Sequence, residues 1–147
     1  MTSSRRKARG AALQVLYEID LTGHNHEQAV DSLLEGAALS GENIIFVKDL
    51  VKGVLVSKSQ LDEYIHRFAP AWPLAQLAVG DRNILRLSIY ELLYVKSTPV
   101  KVAINEAVEL AKAFGSDSSP KFVNGVLSSV NSSLSKTVSN SPEDILE

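Results

Sequence analysis

The sequence predicts an all-α fold of about seven helices, arranged as one domain or as two small halves that share a core. Apolar residues recur at i, i+3, i+4 and i+7 through most of the chain, which is typical of amphipathic helices. No segment alternates apolar and polar residues as a half-buried strand would. With 147 residues, 45% hydrophobic and 22% charged, the chain has an ordinary globular composition and a length suited to one domain.

The domain is expected to span 1–137, with an N-terminal half of about 1–70 and a C-terminal half of about 71–137. In the first half, helices are predicted over about 4–21, 27–39, 42–56 and 60–68. Two prolines flank Trp72 in a turn over 69–73 and divide the halves. In the second half, a short helical piece over 74–78 precedes a helix over 81–94. Two more helices follow on either side of a polar turn, with apolar residues at helical spacing from Ala103 to Phe114 and from Val123 to Leu134. Residues 138–147 are rich in Ser, Asn, Pro and acid, and we expect them to form a disordered acidic tail.

The first helix begins with a basic arm, Arg5, Arg6, Lys7 and Arg9. These are four of the 15 lysines and arginines, and residues 1–10 contain no acid. The rest of the chain has the other 11 basic residues and all 17 acidic residues, so its net charge is −6. Cations in a first helical turn oppose the helix dipole, so a purely structural helix would not favour them. The arm is either a frayed, solvated terminus or a phosphate-binding element.

The helix over 81–94 is apolar around most of its circumference, which predicts a central position in the fold. Asp81 lies in its first turn, where a carboxylate suits the dipole. Arg86 is a fixed charge amid Ile84, Leu85 and Leu87. It either pairs with a carboxylate such as Glu106 or reaches a phosphate.

The polar turn over 115–120 separates the last two helices. Phe114 precedes it, and Lys121 and Phe122 follow it, with no evident core reason for two aromatics and a lysine at one place. Gly125 lies inside the last helix, where glycine costs about 1 kcal/mol relative to alanine. Close approach of another helix or of a ligand would explain it.

Several classes of function lack their residues. The chain has no Cys, no phosphate-binding glycine loop, no nucleophile elbow and no paired zinc histidines. His24 and His26 are read as solvated turn residues. We therefore expect no enzyme activity, metal or cofactor. The chain also shows no signal peptide and no apolar run that could span a bilayer, so we expect a cytoplasmic protein that does not enter the membrane.

Three segments resemble the NusB family of bacterial transcription antitermination factors. They are RRKAR at 5–9 with the residues that follow to Tyr17; DRNILRLSIYEL at 81–92; and PVKVAINEAVELAK at 99–112 continued by FG at 114–115 and KFVNGVL at 121–127. The match covers almost the whole chain up to about residue 130, in order, and the last segment is long and specific.

The resemblance implies an all-helical, NusB-like RNA-binding domain, in which two small helical bundles pack together. Such a domain pairs with NusE, a small-subunit ribosomal protein. Together they would bind boxA RNA of nascent ribosomal RNA transcripts and help RNA polymerase, with other Nus factors, to avoid premature termination. The RNA site would comprise Arg5, Arg6, Lys7, Arg9, Arg86, Phe114, Asp117, Ser118, Lys121 and Phe122. The contact with NusE would involve Tyr17, Asp81 and Arg82. A homodimer that hides the basic arm is a further hypothesis.

Two alternatives remain open. The domain also resembles the N-terminal module of certain ribosomal RNA cytosine methyltransferases, although these carry a cofactor-binding α/β domain behind it, which is not expected in these 147 residues. A protein-only interaction module would leave the basic arm frayed.

Overall fold

The computed structural model describes residues 4–69 and 74–139, which form seven α-helices and one 3₁₀ turn at Leu74–Gln76. The helices are α1 Ser4–Thr22, α2 His26–Glu35, α3 Gly41–Val56, α4 Lys58–Phe68, α5 Val79–Tyr94, α6 Val100–Phe114 and α7 Ser119–Ser139. The described residues contain no strand. The all-α prediction is therefore confirmed.

The ends of two helices differ from the prediction. α2 ends at Glu35 rather than near residue 39, because Gly36 caps it and donates its N–H to the carbonyl oxygen of Leu34. α7 extends to Ser139, so the first two residues of the predicted tail are helical. The rest of that tail, residues 140–147, and the turn around Trp72 lie outside the described residues.

α5 is the central helix, as its sequence predicted. Its side chains Ile84, Leu85, Leu87 and Ile89 are fully buried. α5 packs against α1, α3 and α4 on the N-terminal side and against α6 and α7 on the C-terminal side. The two halves of the chain consequently share one hydrophobic core.

α6 and α7 form an antiparallel pair joined by the polar turn, and both pack on α5. Ala107, Ala111, Val123 and Leu127 close this part of the core. A Cβ built on Gly125 would meet no atom within 4 Å, so the expected close approach of another helix is wrong there. Among the described helices, none is long and apolar enough to cross a bilayer.

Candidate nucleic-acid interface

The basic arm lies along the first two turns of α1, and its four cations have different surroundings. Arg6 and Lys7 are exposed. Arg5 is partly buried: its guanidinium carbon lies 4.0 Å from the centre of the Phe46 ring, and Nη1 donates to Oδ1 of Asn43 at 3.1 Å. Glu42 on α3 pairs with the same guanidinium at 3.5 Å. The arm is thus an ordered part of α1 rather than a frayed terminus.

Arg9 is the exception in the arm, since only 6% of its side chain is exposed. Its Nε and Nη2 donate to the two carboxylate oxygens of Glu91 on α5, at 2.7 and 3.0 Å. Such a bidentate pair uses the whole fork of the guanidinium. Arg9 therefore fastens α1 to α5, and we leave it out of the RNA surface proposed below.

Arg86 is likewise buried, with 6% of its side chain exposed. It donates from Nε and Nη2 to the carboxylate of Asp62 on α4, at 2.7 and 3.1 Å, and from Nη1 to Asp20 on α1, at 3.2 Å. The carboxylate expected for it, Glu106, instead contacts Arg6 and Arg9. Of the two expectations for Arg86, pairing with a carboxylate is the one that fits, although its partners are Asp62 and Asp20 and not Glu106. Arg86, like Arg9, is therefore not part of the proposed RNA surface.

Asp20 joins Arg86 to a second arginine, and with Asp62 these residues form a partly buried ion network. Arg82 donates from Nε and Nη2 to Asp20 at 2.7 and 2.9 Å, and Asn83 adds a bond at 2.8 Å. Burial alone would raise the pKa of Asp20, but these hydrogen bonds and the charges of Arg86 and Arg82 outweigh it and lower the pKa to about 2. The network holds α1, α4 and α5 together.

The turn between α6 and α7 is closed by two small residues. A Cβ at Gly115 would lie 2.5 Å from the Ser119 side chain and 2.8 Å from the carbonyl oxygen of Ala111, so this position needs glycine. Ser119 is buried, and its hydroxyl accepts the N–H of Ser116 at 2.9 Å. Asp117 and Ser118 remain exposed at the start of α7.

The two aromatics beside the turn differ in exposure. Phe114 is 45% exposed, whereas Phe122 is partly buried and packs against the core. An exposed ring can stack on an unpaired base. Phe114 is therefore the better placed of the two for such a contact.

A cavity of about 600 Å³ connects the basic arm to this turn, and we call it the cationic cavity. Arg6, Lys112 and Lys121 line it, together with Asn105, Val108, Glu109, Pro120 and Asn124. Arg6 donates to Glu106 at 2.9 Å, and Lys112 lies 3.3 Å from Glu109, but roughly half of each cationic side chain stays exposed. The fold thus brings Arg6 beside Lys121, 115 positions later. Three cations and two amide side chains suit a phosphate group.

The residues expected to contact a protein partner fall into two groups. Tyr17 is 43% exposed on α1. Arg82 is engaged by Asp20, and Oδ1 of Asp81 is buried with no hydrogen-bond partner among the described residues. Tyr17 alone therefore offers an exposed side chain of substantial size.

Sequence reasoning missed Asp20, Asp62 and Glu91, the carboxylates that fix the buried arginines. It also missed Ser119 and the two asparagines of the cationic cavity. One signal was available: Arg9 precedes Ala12 by three residues and Leu16 by seven, which places it on the buried stripe of α1. In the described residues, no group of three His, Asp or Glu side chains could hold a metal ion.

Comparison with known proteins gives consistent relationships. A model of the NusB family matches residues 6–132. The transcription antitermination protein NusB of Dehalococcoides mccartyi (strain CBDB1) is 52% identical over 143 residues, which cover 97% of this chain and all of that protein.

Two solved structures have the same fold. That of T. maritima NusB superposes with a TM-score of 0.82 at 34% identity, covering 88% of this chain and 92% of the other. A chain in the crystal structure of antitermination factors NusB and NusE in complex with double-stranded RNA gives a TM-score of 0.81 at 29% identity, covering 90% and 99%. With a family match over most of its length and a relative at 52% identity, this chain belongs to the NusB family.

Proposed function

We propose that this chain is a transcription antitermination factor that binds boxA RNA of nascent ribosomal RNA transcripts together with NusE. In this role it helps RNA polymerase, with other Nus factors, to avoid premature termination, and it works in the cytoplasm. The protein acts by binding and carries out no chemical step. The family relationship supports the role, and the cationic cavity is the observation of this structure that carries it.

The cationic cavity supports RNA as the ligand because it gathers cations from distant parts of the chain. Arg6 comes from α1, Lys112 from α6 and Lys121 from α7. The body of the protein is acidic overall, so these cations form a local exception to its charge. Phosphate contacts position a nucleic acid on a protein and make its affinity depend on salt.

The proposed RNA surface contains Arg5, Arg6, Lys7, Lys112 and Lys121, with Phe114 beside them. Asp117 and Ser118 remain in the proposal as exposed groups that can hydrogen-bond to bases. Phe122 remains as a lesser aromatic contact. Tyr17 and the start of α5 at Asp81 and Arg82 are proposed to face NusE, since an acidic body attracts a basic ribosomal protein.

Two other functions fit less well. A methyltransferase module is disfavoured because the D. mccartyi relative, matched over its whole length, is an antitermination protein. A protein-only interaction module would leave the basic arm frayed, whereas Arg5 bonds to Asn43 and Arg6 to Glu106.

Binding of a labelled boxA-type RNA, with and without NusE, tests the proposal. We expect the boxA-type RNA to bind more tightly than a scrambled RNA of the same length, and NusE to strengthen that binding. Equal binding of the two RNAs in both conditions would contradict the specific role. A homodimer that hides the basic arm predicts, in addition, that RNA shifts the sedimentation coefficient from dimer to monomer.

A further inference from the structure

A second cavity lies on the other side of Arg6, and we call it the apolar cavity. It measures about 410 Å³, within the usual range for small-ligand sites. Gly10 lines it from α1, Leu33 from α2, and Ala113 and Phe114 from α6. Arg6 and Glu109 line both this cavity and the cationic cavity, so the two adjoin at these side chains.

The chemistry of the apolar cavity differs from that of its neighbour. Its walls are mostly aliphatic and aromatic, and Phe114 keeps 45% of its surface exposed there. Gln14 is an exposed polar side chain at this cavity, and its amide can both donate and accept a hydrogen bond. A ligand suited to this lining has a flat apolar body and a polar edge.

A nucleotide combines such a body with a phosphate, and the adjoining cations of Arg6 and Lys121 suit that phosphate. We propose that the apolar cavity is a base pocket, which takes one unstacked base of the bound RNA while the adjacent phosphate lies in the cationic cavity. This inference rests on the proposed RNA-binding function. It adds Gly10 and Gln14 to the RNA site. Gly10 has no side chain and so leaves room for the base, and the amide of Gln14 hydrogen-bonds to the edge of the base.

Gly10 offers a direct way to fill the pocket. A Cβ built there would lie 3.9 Å from Cε2 of Phe114, an ordinary contact, and would meet no other atom of a neighbouring element within 4 Å. Because Gly10 lines the cavity, a larger side chain at this position is expected to occupy part of it. Gly10→Leu fills the pocket and leaves every cation in place. Glycine is a poor helix former, so a helix-favouring residue at position 10 is compatible with folding of α1.

The test measures binding of boxA-type RNA to the full chain and to Gly10→Leu, over a range of salt concentrations. We expect Gly10→Leu to bind roughly ten-fold or more weakly, because a stacked base contributes about that much. The dependence of affinity on salt should stay unchanged, because the phosphate contacts remain. Gly41→Leu is the matched control, since a Cβ at Gly41 meets nothing within 4 Å and this residue lies outside both cavities.

An RNA series with one base removed at a time locates the occupant. Removing the base at one position should weaken RNA binding to the full chain, but it should not lower the RNA affinity of Gly10→Leu any further. If circular dichroism shows that Gly10→Leu does not fold, two other variants replace it, each with a smaller expected loss. Gly10→Ala adds only a Cβ to the pocket, and Phe114→Leu removes the ring on which the base would stack.

Three outcomes would overturn the base pocket. Gly10→Leu could bind RNA as tightly as the full chain. The loss of affinity from Gly10→Leu and the loss from removing a base could be independent at every RNA position, which would mean that no base occupies this pocket. Gly10→Leu could instead dissociate a dimer of the RNA-free protein without changing RNA affinity, which would mean that a second copy covers the cavity. Failure of the proposed function would give a different result from failure of the base pocket, because the full chain itself would then bind boxA-type and scrambled RNA equally well.

Discussion

Arg6 and Arg9 lie one turn apart on α1 and approach the same carboxylate, Glu106, yet their surroundings differ. The Arg6 side chain is 46% exposed and lines the cationic cavity, while that of Arg9 is 6% exposed and is held by both oxygens of Glu91. The same contrast separates the exposed Lys112 from the buried Arg86. A count of cations in the sequence therefore overstates the charge that an RNA can reach, because burial and pairing decide which cations face solvent.

The largest expected effect concerns the buried side of this comparison. Arg86→Ala removes the arginine that pairs with Asp62 and one partner of Asp20, so the partly buried Asp62 loses its ion pair while Asp20 keeps Arg82 and Asn83. The free energy of unfolding should fall by roughly 3–5 kcal/mol, measured by urea denaturation. Arg67→Ala, which removes an exposed arginine from α4, is the control and should change it little. If Arg86→Ala keeps the free energy of unfolding of the unmodified chain but binds RNA more weakly, Arg86 contacts the RNA and does not act through stability.

The next effect concerns the exposed side. Replacing Arg5, Arg6 and Lys7 by Gln removes up to three phosphate contacts, each contributing roughly five-fold in affinity at 0.1 M salt. Binding of boxA-type RNA should weaken by about a hundred-fold. The melting temperature should fall slightly, because Arg5 loses its contacts with Phe46 and Asn43. Replacing Lys48, Lys52 and Lys58 by Gln gives the same change in net charge elsewhere. If both triple variants lose affinity equally, net charge rather than this surface drives binding.

A somewhat smaller effect is expected from the pH dependence of the partly buried ion network around Asp20. The pKa of Asp20 is about 2 in the folded chain, against 3.8 ordinarily. Because the folded pKa is the lower one, the stabilisation is fully present above about pH 4 and is lost as the pH falls towards 2. It amounts to about 2 kcal/mol. Urea denaturation at pH 6 and pH 2.5 should show the stability difference between the unmodified chain and Asp20→Asn narrowing by roughly 1.5 kcal/mol, because about a third of the stabilisation remains at pH 2.5. A constant difference would contradict it.

Much of the fold followed from the sequence because helix periodicity is a local property. The central place of α5 was predictable from its apolar circumference, and the pairing of α6 with α7 from the short turn between them. The end of α2 was not, because Ala37 and Leu39 extend the apolar pattern past the capping residue Gly36. The spacing of apolar residues predicts that a helix forms, but it does not show that a capping residue ends the helix before the apolar pattern ends.

The candidate site was only partly predictable, for a related reason. The basic arm and the turn beside Phe114 stood out as local anomalies of charge and composition. The partners of Arg86 did not, since Asp20 lies 66 positions and Asp62 lies 24 positions away in the chain. The cationic cavity likewise exists only once the fold brings Arg6 of α1 to the same cavity as residues of α6 and α7, so Asn105 and Asn124 carried no sequence signal.

The salt dependence of RNA affinity for two variants tests the central claim most directly. Arg6→Gln removes an exposed cation, whereas Arg9→Met combined with Glu91→Leu removes the buried pair together and leaves no unpaired charge. For single-stranded RNA, the slope of log affinity against log salt should fall by about 0.7 in Arg6→Gln and stay unchanged in the double variant. A reduced slope in the double variant with an unchanged slope in Arg6→Gln would show that the buried cation, not the exposed one, meets the RNA.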